Sequence, residues 1–448
     1  MKRTLIKNAI IVNEGKRYKG SVVIEDEMIS RILNKPKPPE QMYDYIIDAT
    51  GCLLLPGVID EHVHFREPGL THKADMFSES RAAVAGGVTA IMDMPNTNPP
   101  TVTLKALEQK LELLNQHCIV NHSCYFGATN DNYTLFRELD KTKVCGIKLF
   151  MGSSTGNMLV DRLESLEKIF GSTDLLIAAH CEDQTMIRRN TERIRQAYPE
   201  NEEIPIALHS RIRTAEACYN STQLALSLAC KMNSRLHVLH LSTNTELQLF
   251  NKRLPAWHQQ ITVEVCVPHL FFCSHDYDRL GARIKCNPAI KQSHHRTALR
   301  RAVDKGLIDT IATDHAPHLL SEKKGGALKA ASGMPIIQYS LVGMLKLSDK
   351  GYFTIETVVE KMCHAPARIF HIDRRGFIRP DYYADLVLVR PCPQWTVTPD
   401  HVLSKCGWSP LEGASFGWKV EKTIVNGQLV YDNGYIDDNY RGKELRFK

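Results

Sequence analysis

The sequence predicts an α/β fold: a closed (β/α)8 barrel flanked by a small β-sandwich domain that both chain ends build together. Three observations carry this. From residue 53 onward, short apolar runs alternate with longer helical patterns; eight such runs occur; and both ends of the 448-residue chain read instead as short strands separated by turn residues. The runs are Leu53–Asp60, Val88–Asp93, Ile119–Phe126, Val144–Phe150, Leu175–Ala179, Leu236–His240, Ile261–Val267 and Thr310–Thr313. Near-continuous apolar strands between amphipathic helices signal a parallel sheet buried on both faces. Helical periodicity is clearest in Lys73–Ala85, Thr103–Gln116, Arg211–Met232 and Ser293–Lys305. A doubly wound open sheet would carry a Gly-rich phosphate loop after its first strand, and none follows this one.

The expected boundaries place residues 1–52 in the sandwich, 53–372 in the barrel and 373–448 back in the sandwich. Ala9–Val12 and Ser21–Glu25 supply strands at one end, and residues 384–436 do the same at the other. There Asn426-Gly427, between KTIV and QLVY, is a two-residue hairpin signal. Leu319–Ser332, rich in Lys, Gly and Ala after a strand end, reads as a mobile lid. A net charge of +6 with no basic tail argues against nucleic-acid binding. The N-terminus lacks a signal-peptide core and no apolar stretch approaches the ~20 residues of a membrane span, so a cytoplasmic chain without membrane partners is expected. Its thirteen cysteines form no Cys-x-x-Cys pair and are expected as free thiols.

Chemistry concentrates at the strand ends, where a barrel carries its active site. In Asp60-Glu61-His62-Val63-His64 the two imidazoles are two residues apart and can face one side of a strand. Such a pair is half of a metal site. A bare His-x-His is weak in a chain with nineteen histidines, and surface or core histidines are the plain alternative. The later strands add His180, His240 and Asp314 at the same end, which a purely structural role explains poorly. Two metals need more donors than these five, and a bridging anion is missing.

Lys148 is the candidate. A charged amine ~4 Å from a metal would be repelled by about 4 kcal/mol per unit of metal charge. Lys148 is therefore far from the site, or altered; carboxylation by carbon dioxide would make it an anion able to bridge two metals. Snorkelling to solvent or pairing with an acid is the default from the strand alone. Spacing does not decide between these.

The runs HVHFREPG, MDMPNTNPPT (Met92–Thr101), GIKLFMGSSTGNM (Gly146–Met158), AHCED and ATDHAPH together resemble the cyclic amidohydrolases, and among them the dihydroorotases. The ordered set spans the whole barrel and both flanking segments. The resemblance implies two divalent metals, zinc as a rule, held by His62, His64, carboxylated Lys148, His180, His240 and Asp314. Some dihydroorotases bridge the metals with an aspartate; GIKLFM resembles the branch that uses lysine. It also implies that Arg66, Asn96 and His318 bind a substrate carboxylate, for which the planar fork of Arg is suited. A surface ion pair for Arg66 and a turn role for Asn96 are the ordinary alternatives. Asn287 and Gly333 are expected to contact the ureide ring, and Thr155 and Asn157 to close over the pocket. Cys181, Glu182 and Asp183 either orient His180 or cap the next helix.

The implied reaction is reversible, zinc-dependent hydrolysis of the cyclic amide of (S)-dihydroorotate to N-carbamoyl-L-aspartate, run toward ring closure in pyrimidine biosynthesis. Asp314 would carry the proton to the departing ring nitrogen. A hydantoinase or allantoinase, or an inactive amidohydrolase-like scaffold, are the competing readings. The partner is then a small molecule, and assembly into a homo-oligomer is expected, its size and any association with a transcarbamoylase being illegible in the chain.

Overall fold

The computed structural model describes residues 2–33, 42–152, 157–199, 202–250 and 260–448. Strands Val58–Val63, Val88–Asp93, Asn121–Cys124 with its continuation Phe126–Gly127, Ile147–Phe150, Ile177–His180, Leu236–Val238, Ile261–Cys266 and Thr310–Ala312 run parallel in chain order. Ring closure comes from a parallel bridge between Val63 and His315, with the His64 N–H donating to His315 O at 2.8 Å. Almost every strand residue is buried, as a sheet covered on both faces requires. The fold is the expected α/β barrel with a small β-sandwich domain.

The sandwich strands share one nine-stranded sheet among the described residues, drawn from both chain ends. Arg3–Asn13 pairs antiparallel with Lys16–Glu25, and Leu386–Thr396 pairs antiparallel with Ser415–Val425. Leu53–Pro56 joins the two halves, parallel to the first strand and antiparallel to Leu386–Thr396. Ile6, Ile11, Val22, Leu54, Leu386 and Ile424 belong to the apolar core of this sheet. The run expected as one barrel strand, Leu53–Asp60, is thus two. Its first half belongs to the terminal sheet, and the chain passes into the barrel at Gly57, where a Cβ would lie 2.1 Å from Thr89 Oγ1. Burial is continuous through the turn, so hydrophobicity alone could not mark it.

Local chemistry fixes the other boundaries. The helix expected from Lys73 begins at Met76, because Asp75 accepts from the Ser78 N–H at 2.8 Å and Ser78 Oγ answers in a capping box. Helix Ala215–Met232 begins after Thr214, whose hydroxyl accepts from the Ala217 N–H. Asn426 and Gly427, with φ of 47° and 74°, form the hairpin turn between Ser415–Val425 and Gln428–Asp432. Leu319–Ser332 is anchored: buried Lys323 donates to Lys285 O at 3.1 Å and to Ala331 O and Gly333 O, both at 2.6 Å. Lys323 is the pin that ties down a segment expected to be a mobile lid. All thirteen cysteines are free thiols, most of them buried. Among the described residues, no helix is long and apolar enough to cross a membrane.

Candidate metal centre and substrate cavity

The carboxyl ends of the strands bring His62, His64, Lys148, His180, His240 and Asp314 to the wall of one cavity of about 620 Å³. His62 Nε2 and His64 Nε2 lie 3.3 and 3.1 Å from the same oxygen, Asp314 Oδ1. The outer nitrogens are already engaged. His62 Nδ1 is 2.8 Å from Glu264 Oε1, and His64 Nδ1 is 2.8 Å from Asn96 Oδ1. Both partners accept, so each ring places its proton on Nδ1 and turns a lone pair inward. Burial drives the His64 pKa down to about 3, which keeps that ring neutral. Burial alone would raise Asp314, but the His62 and His64 rings beside it hold it at about 2.

The second pair repeats the pattern. His180 Nε2 donates to Glu182 Oε2 at 2.9 Å, leaving Nδ1 to face His240 Nε2 at 2.9 Å. Burial lowers the pKa of both rings, with neighbouring cations adding to the effect on His240. Glu182, which burial would protonate, is held at about 2 by Arg213 and His180. The His62 and His240 rings are 5.3 Å apart, so the two pairs form one cluster. Lone pairs aimed at a carboxylate oxygen, and ring nitrogens aimed at each other, are acceptor sets that a divalent cation would satisfy. The donor set therefore fits metal ions. Lys148 stands beside it, 1% exposed, with Nζ over the Phe150 ring at 4.5 Å. Burial lowers its pKa to about 8, against the opposing pull of Asp314 and Glu264.

Arg66, Asn96, His318, Asn287 and Gly333 line the same cavity. Arg66 does not arrive by strand alternation, since the strand ends at Val63 and Arg66 itself has φ of 68°. A left-handed turn delivers its guanidinium, with Nε donating to Pro317 O at 3.1 Å and Nη2 lying 3.0 Å from His318 Nε2. Asp314 and His240 also have positive φ, 50° and 39°, so backbone strain gathers at this mouth. Asn287 Oδ1 is 3.1 Å from His209 Nε2. Gly333 is required: a Cβ there would come within 2.5 Å of Ala316 O. Asn157 is exposed and Thr155 lies outside the described residues. Of the three residues after His180, Glu182 accepts from the ring, Asp183 caps helix Gln184–Gln196, and Cys181 Sγ donates to Ala179 O at 3.8 Å.

Two residues at the site escaped the sequence reading. Glu264 receives the His62 Nδ1–H and, at 2.8 Å, the backbone N–H of His240, tying the two histidine pairs together. Burial would protonate it, yet His62 and His237 hold its pKa well below the usual carboxylate range. The signal was present as a lone carboxylate inside the apolar strand ITVEVC, the same anomaly that marked Lys148. Lys73, placed in a helical pattern, instead sits in the turn before the helix and reaches the cavity wall.

Residues 53–430 match the amidohydrolase family. The dihydroorotase of Methanosarcina mazei is 33% identical over 455 aligned positions, covering 99% of this chain and 97% of that protein. That of Thermococcus kodakarensis is 30% identical over 441, covering 98% of each. Among solved structures, L-hydantoinase (dihydropyrimidinase) from Arthrobacter aurescens superposes with a TM-score of 0.91 at 26% identity, covering 97% of both chains. Dihydropyrimidinase from Brevibacillus agri shares the fold at a TM-score of 0.86 and 21% identity, over 97% of this chain and 96% of that one.

Proposed function

This chain belongs to the amidohydrolase family, and from that premise we propose that it reversibly hydrolyses the cyclic amide of (S)-dihydroorotate, forming N-carbamoyl-L-aspartate, with ring closure the direction used in pyrimidine synthesis. The observation that carries the reading is the pairing, in one cavity, of inward-facing imidazole lone pairs with the Arg66 guanidinium. The dihydroorotase relatives, matched over nearly their full length, agree with it.

In this reading His62, His64, His180, His240 and Asp314 would hold two divalent metals, zinc by preference, with carboxylated Lys148 as a further anionic ligand. The carbamate forms when the neutral Nζ attacks carbon dioxide, making an N–C bond and releasing a proton to water. Metals held there would supply an activated water, its pKa lowered toward about 7, and a Lewis acid for the scissile carbonyl. The chain does the rest. Glu264, Asn96 and Glu182 keep the rings turned so that their lone pairs stay inward. Arg66 binds the substrate carboxylate through two N–H groups, helped by His318 and the Asn96 amide. Asp314, an anion at neutral pH, takes a proton at Oδ1 and hands it to the departing ring nitrogen; ring closure reverses the path. Asn287 and the backbone at Gly333 border the ureide ring.

The test is turnover of dihydroorotate and of N-carbamoyl-aspartate before and after chelation. Activity that disappears with chelation and returns with zinc supports the reading; chelation-insensitive activity rejects its metal dependence, and purification without metal together with no turnover rejects it in favour of a scaffold. The hydantoinase likeness at a TM-score of 0.91 sustains a second reading, a hydantoin- or dihydropyrimidine-cleaving enzyme. An Arg66→Ala variant separates them. Loss of about a hundredfold in kcat/KM on dihydroorotate is expected from removing a bidentate charged contact, whereas turnover confined to hydantoins in the unmodified protein would sink the first reading. We place the enzyme in the cytoplasm, as a homo-oligomer whose size light scattering would give.

A further inference from the structure

Lys73 has no part in the mechanism above, yet it is 7% exposed and borders the cavity. Its Nζ lies 3.0 Å from Glu322 Oε1 and 3.2 Å from His318 Nδ1. An ammonium has only donors, so His318 accepts at Nδ1. A neutral imidazole that accepts at one nitrogen carries its proton on the other. Here that is Nε2, which faces Ser332 O at 3.1 Å. Burial, with the charges of Arg66, Lys73 and Lys323, lowers the His318 pKa and keeps the ring neutral. Glu322 Oε2 is also near Nδ1, at 3.5 Å, but it already accepts from the Leu319 N–H at 2.8 Å.

The proton at Nε2 changes what Arg66 can do. Arg66 Nη2 lies 3.0 Å from that nitrogen. Two donors at that distance do not satisfy each other; an anionic oxygen set against both would accept from both. In the opposite tautomer Arg66 would donate to Nε2, and the pair would close on itself. Nδ1–H would then point at the Lys73 ammonium, donor against donor. One proton's position therefore separates an Nε2–H that a substrate oxygen can share with Ser332 O from an Nε2 closed on Arg66.

We propose that Lys73, held by Glu322, fixes His318 in its Nε2–H tautomer and so makes the imidazole a donor to the substrate carboxylate beside Arg66. Lys73 acts through His318 and is a positioning residue. The inference rests on the dihydroorotate reading of this cavity.

The experiment uses full-length, metal-loaded protein with 15N-labelled histidine and long-range 15N–1H correlation spectra, the His318 signals being assigned by their loss in His318→Asn. The unmodified protein is expected to show a bare Nδ1 and a protonated Nε2. In Lys73→Met the ring moves toward the Nδ1–H form, and KM for dihydroorotate rises about tenfold, more than kcat falls. Lys73→Arg, again donor-only, restores the tautomer and most of the KM. A protonated Nδ1 in the unmodified protein overturns the proposal, as does an unchanged tautomer in Lys73→Met. So does a shifted tautomer with unchanged KM. The proton's position is read without turnover, so a chain that fails to hydrolyse dihydroorotate defeats the functional reading separately.

Discussion

Lys110 and Lys148 are both sealed from solvent, at 0% and 1% exposure, yet the protein answers only one of them. Lys110, on helix Leu104–His117, places Nζ 2.6 Å from Asp93 Oδ2 and donates to Met94 O; the other oxygen of Asp93 accepts from the Phe65 N–H at 2.8 Å. Lys148 has no hydrogen bond or ion pair among the described residues, only the Phe150 ring at 4.5 Å. Its pKa is drawn down to about 8. Burial alone therefore does not separate the two lysines; the partner does. The paired amine locks a helix to a strand end, and the unpaired one is left close to neutral, the form that reacts with carbon dioxide.

Substitution at each site should separate the two roles. Lys148→Met is expected to reduce turnover to the level of metal-stripped protein, with bound metal lost in elemental analysis. Compared with metal-stripped unmodified protein, its melting temperature should hold or rise, because a buried amine without a partner gives way to an apolar chain of similar size. A variant that keeps both metals and turnover would erase the contrast. Asp314→Asn removes a carboxylate whose field supports the charged form of Lys148, together with the proposed proton carrier. Turnover should fall by roughly 10²–10⁴-fold with the fold intact by circular dichroism; wild-type-like kcat would take Asp314 out of the mechanism. Lys110→Met should do the reverse of Lys148→Met. Leaving Asp93 buried and unpaired costs about 3–5 kcal/mol of stability in denaturant titration, while turnover per folded molecule survives.

How much of this was legible in the sequence depends on whether the signal was local. Val88–Asp93 and the Asn426-Gly427 hairpin were readable because period and turn chemistry sit within a few residues. His62, His64, Lys148, His180, His240 and Asp314 could be named individually because each follows or interrupts an apolar run. Their convergence followed only from the expected barrel and from no local signal, since it depends on closure between Val63 and His315, far apart in the chain. The turn at Gly57 was hidden by unbroken burial, and Arg66 reaches the cavity through a left-handed residue that alternation does not foresee. The anchoring of Leu319–Ser332, expected to be a mobile lid, was hidden too: the three carbonyl acceptors of Lys323 come from segments distant in sequence or folded back on it.

A smaller effect sharpens the comparison further. Carbamate formation needs the neutral amine, and a pKa lowered to about 8 makes that form appear near neutrality. In metal-stripped enzyme at fixed dissolved carbon dioxide, recovery of activity should quicken as pH rises from about 7 and level off near about 9. Continued acceleration toward pH ~10.5 would describe an ordinary, solvated lysine instead.

The central claim is that Lys148 bridges two metals as an anion. A crystal structure of the metal-loaded enzyme, with data collected across the zinc absorption edge, tests it most directly. The account predicts two anomalous peaks among His62, His64, His180, His240 and Asp314, with three additional atoms extending from Lys148 Nζ between them. A bare Nζ, or a single peak, would contradict it.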